Sequence, residues 1–171
     1  MITRRQGREW AIQMLVQFDL NPPLAPILAI KAFWEQQAQL EADALGDTLA
    51  AERVIFSSED SEVRASLDEV RHFAETRVLG VLQVQSELDN ELTEYLKNWS
   101  LYRLGTVERN ALRLGIWEMS RSADRIPAPI IINECVDLAK FFSETKSGRF
   151  VNGVLDKYSK DLVRKNQEFT P

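Results

Sequence analysis

The sequence predicts an all-α protein of six or seven helices arranged in two bundles. Three observations carry this. Glycine and proline are scarce, at 7 and 6 of 171 residues, while Ala, Leu, Glu, Gln, Arg and Lys abound, the balance that favours helix over strand. Apolar residues recur at helical spacing along most of the chain. The single hairpin-type dipeptide, Asn152-Gly153, lies inside such a helical pattern and not between alternating strands.

The first helix is expected from Thr3 as N-cap, with Ala11, Met14, Leu15 and Phe18 at i, i+3, i+4 and i+7. Asn21-Pro22-Pro23 ends it. A second helix is expected over residues 24 to 49, burying Leu28, Phe33, Ala38 and Leu45, with Gly46 as a breaker. Residues 52 to 61 read as a polar connection. A long helix to about Val84 follows, using Val63, Leu67, Val70, Ala74 and Val78, and another spans Ser86 to Trp99 with Leu88, Leu92, Tyr95 and Leu96. Thr106 is placed as N-cap of a helix striped by Leu112, Ile116 and Met119. Ile126-Pro127-Ala128-Pro129 is a rigid linker, Pro129 suiting a first helical turn. Ile131, Cys135, Leu138 and Phe142 stripe the next helix. Ser147 is placed as cap of the last, which carries Val151, Val154, Leu155, Tyr158 and Leu162.

A chain of this length forms one domain, or two tightly packed subdomains, with a real core. No apolar run reaches membrane-spanning length, and the basic start is not followed by a signal-peptide apolar region, so no membrane association is expected. The single cysteine, Cys135, excludes an internal disulfide and suits a reducing, cytoplasmic setting. With one histidine, His72, and one cysteine, no zinc or redox site is expected. No phosphate-binding glycine loop, dinucleotide fingerprint or nucleophile elbow is present. His72 reads as structural, Cys135 as core, and the acid pairs Glu59-Asp60 and Asp68-Glu69 as solvated helix faces. No catalysis, metal or cofactor is expected.

The net charge of −5 conceals an asymmetry. Residues 35 to 94 hold 15 acids against 4 bases, a balance of −11, whereas residues 1 to 34 balance at +2 and residues 145 to 165 at +4. If the ends meet, they form one basic face; scattered charge that merely solvates helices is the alternative. Arg4, Arg5 and Arg8 crowd the first turns of the first helix. The macrodipole there prefers acids, a mismatch costing on the order of a few tenths of a kcal/mol.

The C-terminal third is the specific part. It reads Asn98-Trp99-Ser100-Leu101-Tyr102-Arg103-Leu104-Gly105-Thr106-Val107-Glu108-Arg109-Asn110-Ala111-Leu112-Arg113-Leu114, then Ile116-Trp117-Glu118-Met119 and Ile126-Pro127. Ile132-Asn133-Glu134-Cys135-Val136-Asp137-Leu138-Ala139-Lys140 follows, and Ser147-Gly148-Arg149-Phe150-Val151-Asn152-Gly153-Val154-Leu155-Asp156-Lys157 closes it. In order and spacing this resembles the NusB family of transcription antitermination factors, as does the opening Arg4-Arg5-x-x-Arg8-Glu9 with Ala11 and Gln13-Met14-Leu15. The resemblance is strong over 98 to 158, weaker over 3 to 18 and 73 to 97, and absent over about 20 to 62.

The resemblance implies a single domain over 1 to 171 made of two packed three-helix subdomains, about 1 to 84 and 85 to 165. It implies binding of boxA-like single-stranded RNA from ribosomal RNA operon leaders, together with NusE, a ribosomal small-subunit protein. It further implies entry into the RNA polymerase elongation complex to suppress termination. By the same resemblance, Arg4, Arg5, Arg8, Lys146, Arg149 and Phe150 contact RNA, and Glu108 faces the protein partner. Arginine supplies phosphate contacts and an exposed Phe can stack on an unpaired base, while a core role for Phe150 is the alternative. Lys146 departs from the family, whose members often carry an acid there, which puts RNA sequence selectivity in doubt. Gly153 is expected to permit close helix packing, and Arg113, Asn133 and Glu134 to form a buried polar network. Homodimerisation and the role of residues 20 to 62 are left open. A protein-only helical interaction module is the rival reading. A domain of an RNA cytosine methyltransferase is disfavoured, because no cofactor-binding domain follows.

Overall fold

Thr3 caps the first helix as its sequence position demands: its hydroxyl accepts the Gln6 amide at 3.4 Å. In the computed structural model, which describes residues 3–45, 61–96 and 99–168, the helices are α1 (Arg4–Leu20), α2 (Pro26–Leu45), α3 (Ser61–Gln83), α4 (Gln85–Tyr95), α5 (Thr106–Ser120), α6 (Ala128–Phe142) and α7 (Thr145–Glu168). A 3-10 turn, Leu101–Arg103, precedes α5, and no strand occurs among the described residues. Residues 52–60 of the expected polar connection, with the acid pair Glu59-Asp60, lie outside the described residues, as do residues 46–49 at the end of the expected second helix, while Ser61 already begins α3.

Two compact units are distinguishable, Met1–Thr76 and Arg77–Pro171, the boundary falling within α3. In the first, Ala11, Met14, Leu15 and Phe18 of α1 are buried, with Phe33 and Ala38 of α2 and Val70 and Ala74 of α3. Gly7 lets α1 approach α3: a Cβ there would stand 2.8 Å from the Phe73 ring and 3.1 Å from the Val70 carbonyl. Trp10 and Phe33 meet Trp34 edge-on at 5.2 and 5.1 Å. Leu28 departs from its expected core place and is exposed, together with Leu24 and Ile27. The single apolar face that α2 turns inward is spent on Ile30, Phe33 and Ala38.

In the second unit, Leu112, Ile116, Ile131, Cys135, Leu138, Val151 and Leu155 fill the core formed by α5, α6 and α7. The core place read for Cys135 is thus realised. Pro129 sits in the first turn of α6. Arg77 and Glu118 are buried together as an ion pair, and Arg77 also reaches Asp124 at 2.6 Å. Arg113 binds Asp89 through both Nε and a terminal nitrogen, at 2.7 and 2.8 Å, and reaches Asn110 at 3.1 Å.

Several expectations change. α4 ends at Tyr95, short of Trp99, with the Leu96 amide closing its last turn. The N-cap of α5 is Gly105, not Thr106. The Glu108 side chain folds back over position 105, and a Cβ there would have to displace its carboxylate. Ser147 does not cap α7 but lies inside its first turn, and its hydroxyl donates to Glu108. Asn133 is exposed and stands outside the polar network that Arg113 forms. Glu134 is half-buried. Gly153 faces open space, and a Cβ there would meet nothing within 4 Å. The close approach occurs at Gly115, where a Cβ would meet Leu155 at 2.8 Å and the Cys135 sulfur at 3.2 Å.

Candidate nucleic-acid interface

Two of the basic residues of the last helix, Lys146 and Arg149, lie in its first turns. Lys146 and Arg149 are exposed there, and Phe150 is half-buried. The Phe150 ring lies 6.4 Å from that of Trp99, tilted by 54°, and Trp99 is 57% exposed. Leu101, buried, anchors the 3-10 turn and so presents the exposed Tyr102 and Arg103. Trp99, Arg103, Gly105, Glu108, Ser147 and Phe150 together line a depression of about 230 Å³. It combines two aromatic faces, a guanidinium and hydrogen-bonding oxygens within one unit. Such a surface can hold a flat, polar-edged ring by stacking while cations at its rim take phosphate.

Glu108 stands in the first turn of α5, where an acid is favoured by the helix dipole. Its Oε1 accepts the Ser143 hydroxyl at 2.7 Å and the Ser147 hydroxyl as well. Burial alone would raise its pKa. The hydroxyls of Ser147 and Ser143 and its own backbone amide outweigh burial and hold the carboxyl below its ordinary value. Glu108 therefore ties the start of α5 to the α6–α7 junction, and its charge is kept.

In the first unit, Arg4 and Arg5 are exposed on the first turn of α1. Arg5 pairs with Glu9 at 3.3 Å. Arg8 is only 3% exposed, and its guanidinium stands 5.3 Å from the Phe73 ring, with that of Arg4 at 5.6 Å. Two of the three α1 arginines thus reach solvent, and the third is buried beside the aromatic ring.

Trp99, Arg103, Ser143 and Ser147 are not singled out as site residues by the sequence. The available signal is an aromatic and an arginine four residues apart between two helices, in a stretch that reads first as a turn. A different polar group, Glu91 with Arg121 and Tyr158, is structural. Burial pushes the Tyr158 phenol up to about 12, aided by the Glu91 carboxylate to which it donates at 3.0 Å, so it remains a protonated donor. His72 is exposed on the surface of α3, and its carbonyl accepts the Thr76 hydroxyl. Among the described residues, no group of three or more His, Cys, Asp or Glu side chains is placed to hold a metal ion. No helix of the described residues is long and apolar enough to cross a membrane.

The sequence profile of the NusB family matches residues 5–160. The chain belongs to the NusB family. It is 33% identical over 168 residues to the transcription antitermination protein NusB of Sorangium cellulosum, covering 98% of this chain and 99% of that one. It is 35% identical over 157 residues to the NusB protein of Syntrophotalea carbinolica, covering 92% of each. Its fold is similar to a chain in a crystal structure of the antitermination factors NusB and NusE in complex with double-stranded RNA, with TM-score 0.64 and 27% identity. That match covers 92% of this chain and 96% of the other. Family membership and the all-α fold read from the sequence are thereby established.

Proposed function

We propose that this NusB-family antitermination protein is a non-catalytic, cytoplasmic RNA-binding adaptor. It binds boxA-like single-stranded RNA of ribosomal RNA operon leaders together with NusE and joins the RNA polymerase elongation complex to suppress termination. The observation that carries this reading is the pairing of Phe150 with Trp99 beside Arg103, with Lys146 and Arg149 exposed on the adjoining helix turns. Two ring faces offer an unstacked base a platform, and three cations offer its phosphates neutralisation. Arg4 and Arg5 extend the phosphate-contacting set, while Arg8 acts through Phe73 to hold the start of α1. Glu108, locked by two serines, shapes the partner-facing end of α5. The NusE and RNA assignments draw support from the structural similarity to a chain in the NusB–NusE–RNA complex.

The test is fluorescence anisotropy with a labelled boxA-like strand and a scrambled strand, with and without NusE, across a salt series. Affinity should fall steeply with salt. Phe150→Ala should weaken binding by roughly 5- to 150-fold, the range of one lost base-stacking contact of about 1–3 kcal/mol. No binding at low salt, even with NusE present, would sink the reading and favour the protein-only module, and binding indifferent to Phe150→Ala would move the RNA surface elsewhere.

A further inference from the structure

A cavity of about 420 Å³ in the first unit lies between α2 and α3, and the RNA reading makes no use of it. Its wall is the Trp34 indole, whose N–H donates to Glu75 at 2.6 Å. The Arg71 guanidinium stands 5.3 Å from the Trp34 ring, and Lys31 pairs with Glu35 at 3.8 Å. Lys31 is thus paired at the exposed rim, while Arg71 packs on the indole with its Nε making no hydrogen bond. The carboxylates of Glu35, Asp68 and Glu75 outnumber these two cations, and Asp68 is exposed at the rim. With His72 completing the lining, the formal excess of one carboxylate favours a cation over phosphate, and a cation with an apolar stem fits it: methylenes along the indole, the charged head toward Asp68 and Glu75.

The surface beside the cavity points the same way. Ile27 lies one turn before Lys31 on the same side of α2, and Leu28 lies two turns before Glu35. These two are 72% and 67% exposed. Adjacent exposed apolar residues next to a charged cavity mark a polypeptide contact.

We infer that the α2–α3 cavity receives a lysine or arginine side chain from a basic segment of a protein partner, whose neighbouring apolar residues cover Ile27 and Leu28.

The full-length, 15N-labelled chain is titrated with a capped peptide alternating Arg and Leu. The indole N–H resonance of Trp34, assigned through Trp34→Phe, is the readout. The expected result is a saturable shift at sub-millimolar peptide. Asp68→Asn should weaken affinity roughly two- to fivefold, as for a partly exposed charge pair. Ile27→Ser with Leu28→Ser should weaken it further, and circular dichroism checks that both variants keep their helices. Any of four results overturns the proposal. These are no shift at millimolar peptide, equal binding by the same peptide with citrulline in place of Arg, an effect indifferent to both variants, or an equal shift with oligouridylate.

Discussion

In the second unit, Arg77, Arg113 and Glu118 are almost wholly buried, and each meets an opposite charge on another helix or loop. Around Trp34 in the first unit, the charged groups are half-buried or exposed along the rim of a cavity, beside apolar residues that α2 leaves in solvent. The contrast separates two uses of charge. A buried pair contributes little net stability, because desolvation offsets the Coulomb attraction, but removing one partner leaves an uncompensated ion. It fixes which residues of two helices face each other. A rim charge keeps most of its hydration and can be given to a partner at small cost. Geometry in the second unit is therefore specified from within, whereas the α2–α3 face of the first retains capacity for contact.

The largest expected effect tests the buried side of this contrast. Glu118→Ala strands Arg77, and Asp124, partly exposed, replaces only part of the lost attraction. Urea unfolding should show a loss of about 3–5 kcal/mol. A loss below that of an ordinary surface substitution would show that Arg77 escapes to water and that the pair specifies nothing.

Two glycines of the second unit sharpen the comparison with opposite signs. Gly115→Ala presses a methyl against Leu155 and Cys135 and should destabilise by about 1–3 kcal/mol through overpacking. Gly153→Ala adds a methyl in open space within α7 and should stabilise by about 0.5–1 kcal/mol through helix propensity. Thermal unfolding of the two variants side by side reads both signs, and equal effects would remove the distinction between the faces of α5 and α7.

The smallest effect concerns Glu108. Its folded pKa lies below its ordinary value of 4.5. Its contribution to stability is therefore fully present above the unfolded value and lost as pH falls through the lower folded one. Glu108→Gln should lower stability slightly near neutrality and flatten the stability–pH curve below about pH 4.5, where the parent chain loses that same contribution. A curve identical to that of the parent chain would mean that the two serine hydroxyls do not favour the ionised carboxylate.

The helices are legible in the sequence because each carries its own apolar period. The stripes Ala11-Met14-Leu15-Phe18, Ile131-Cys135-Leu138 and Val151-Val154-Leu155-Tyr158 are all buried where their spacing puts them. Lys146, Arg149 and Phe150 are legible as a motif, and the first turns of α7 carry all three. Trp99 and Arg103 are not, since their joining to Phe150 depends on a 3-10 turn whose direction is set by the burial of Leu101.

Local spacing states which face of a helix is apolar and where backbone hydrogen bonding can begin. It does not state what lies opposite a given residue. Ser147 and Thr106 have the chemistry of helix caps, yet a carboxylate 39 residues before Ser147 in sequence takes its hydroxyl, and Gly105 displaces Thr106 from the cap. Gly153 and Gly115 are chemically identical, and only the neighbouring helices make one necessary and the other dispensable. Arg8 has the charge of an RNA contact, yet the fold buries it beside the Phe73 ring. The sequence by itself determined the fold class, the helix positions and the basic character of both ends. Tertiary structure alone decided which polar groups are consumed by partners distant in sequence and which remain available, because that satisfaction is a property of pairs of helices and not of either one.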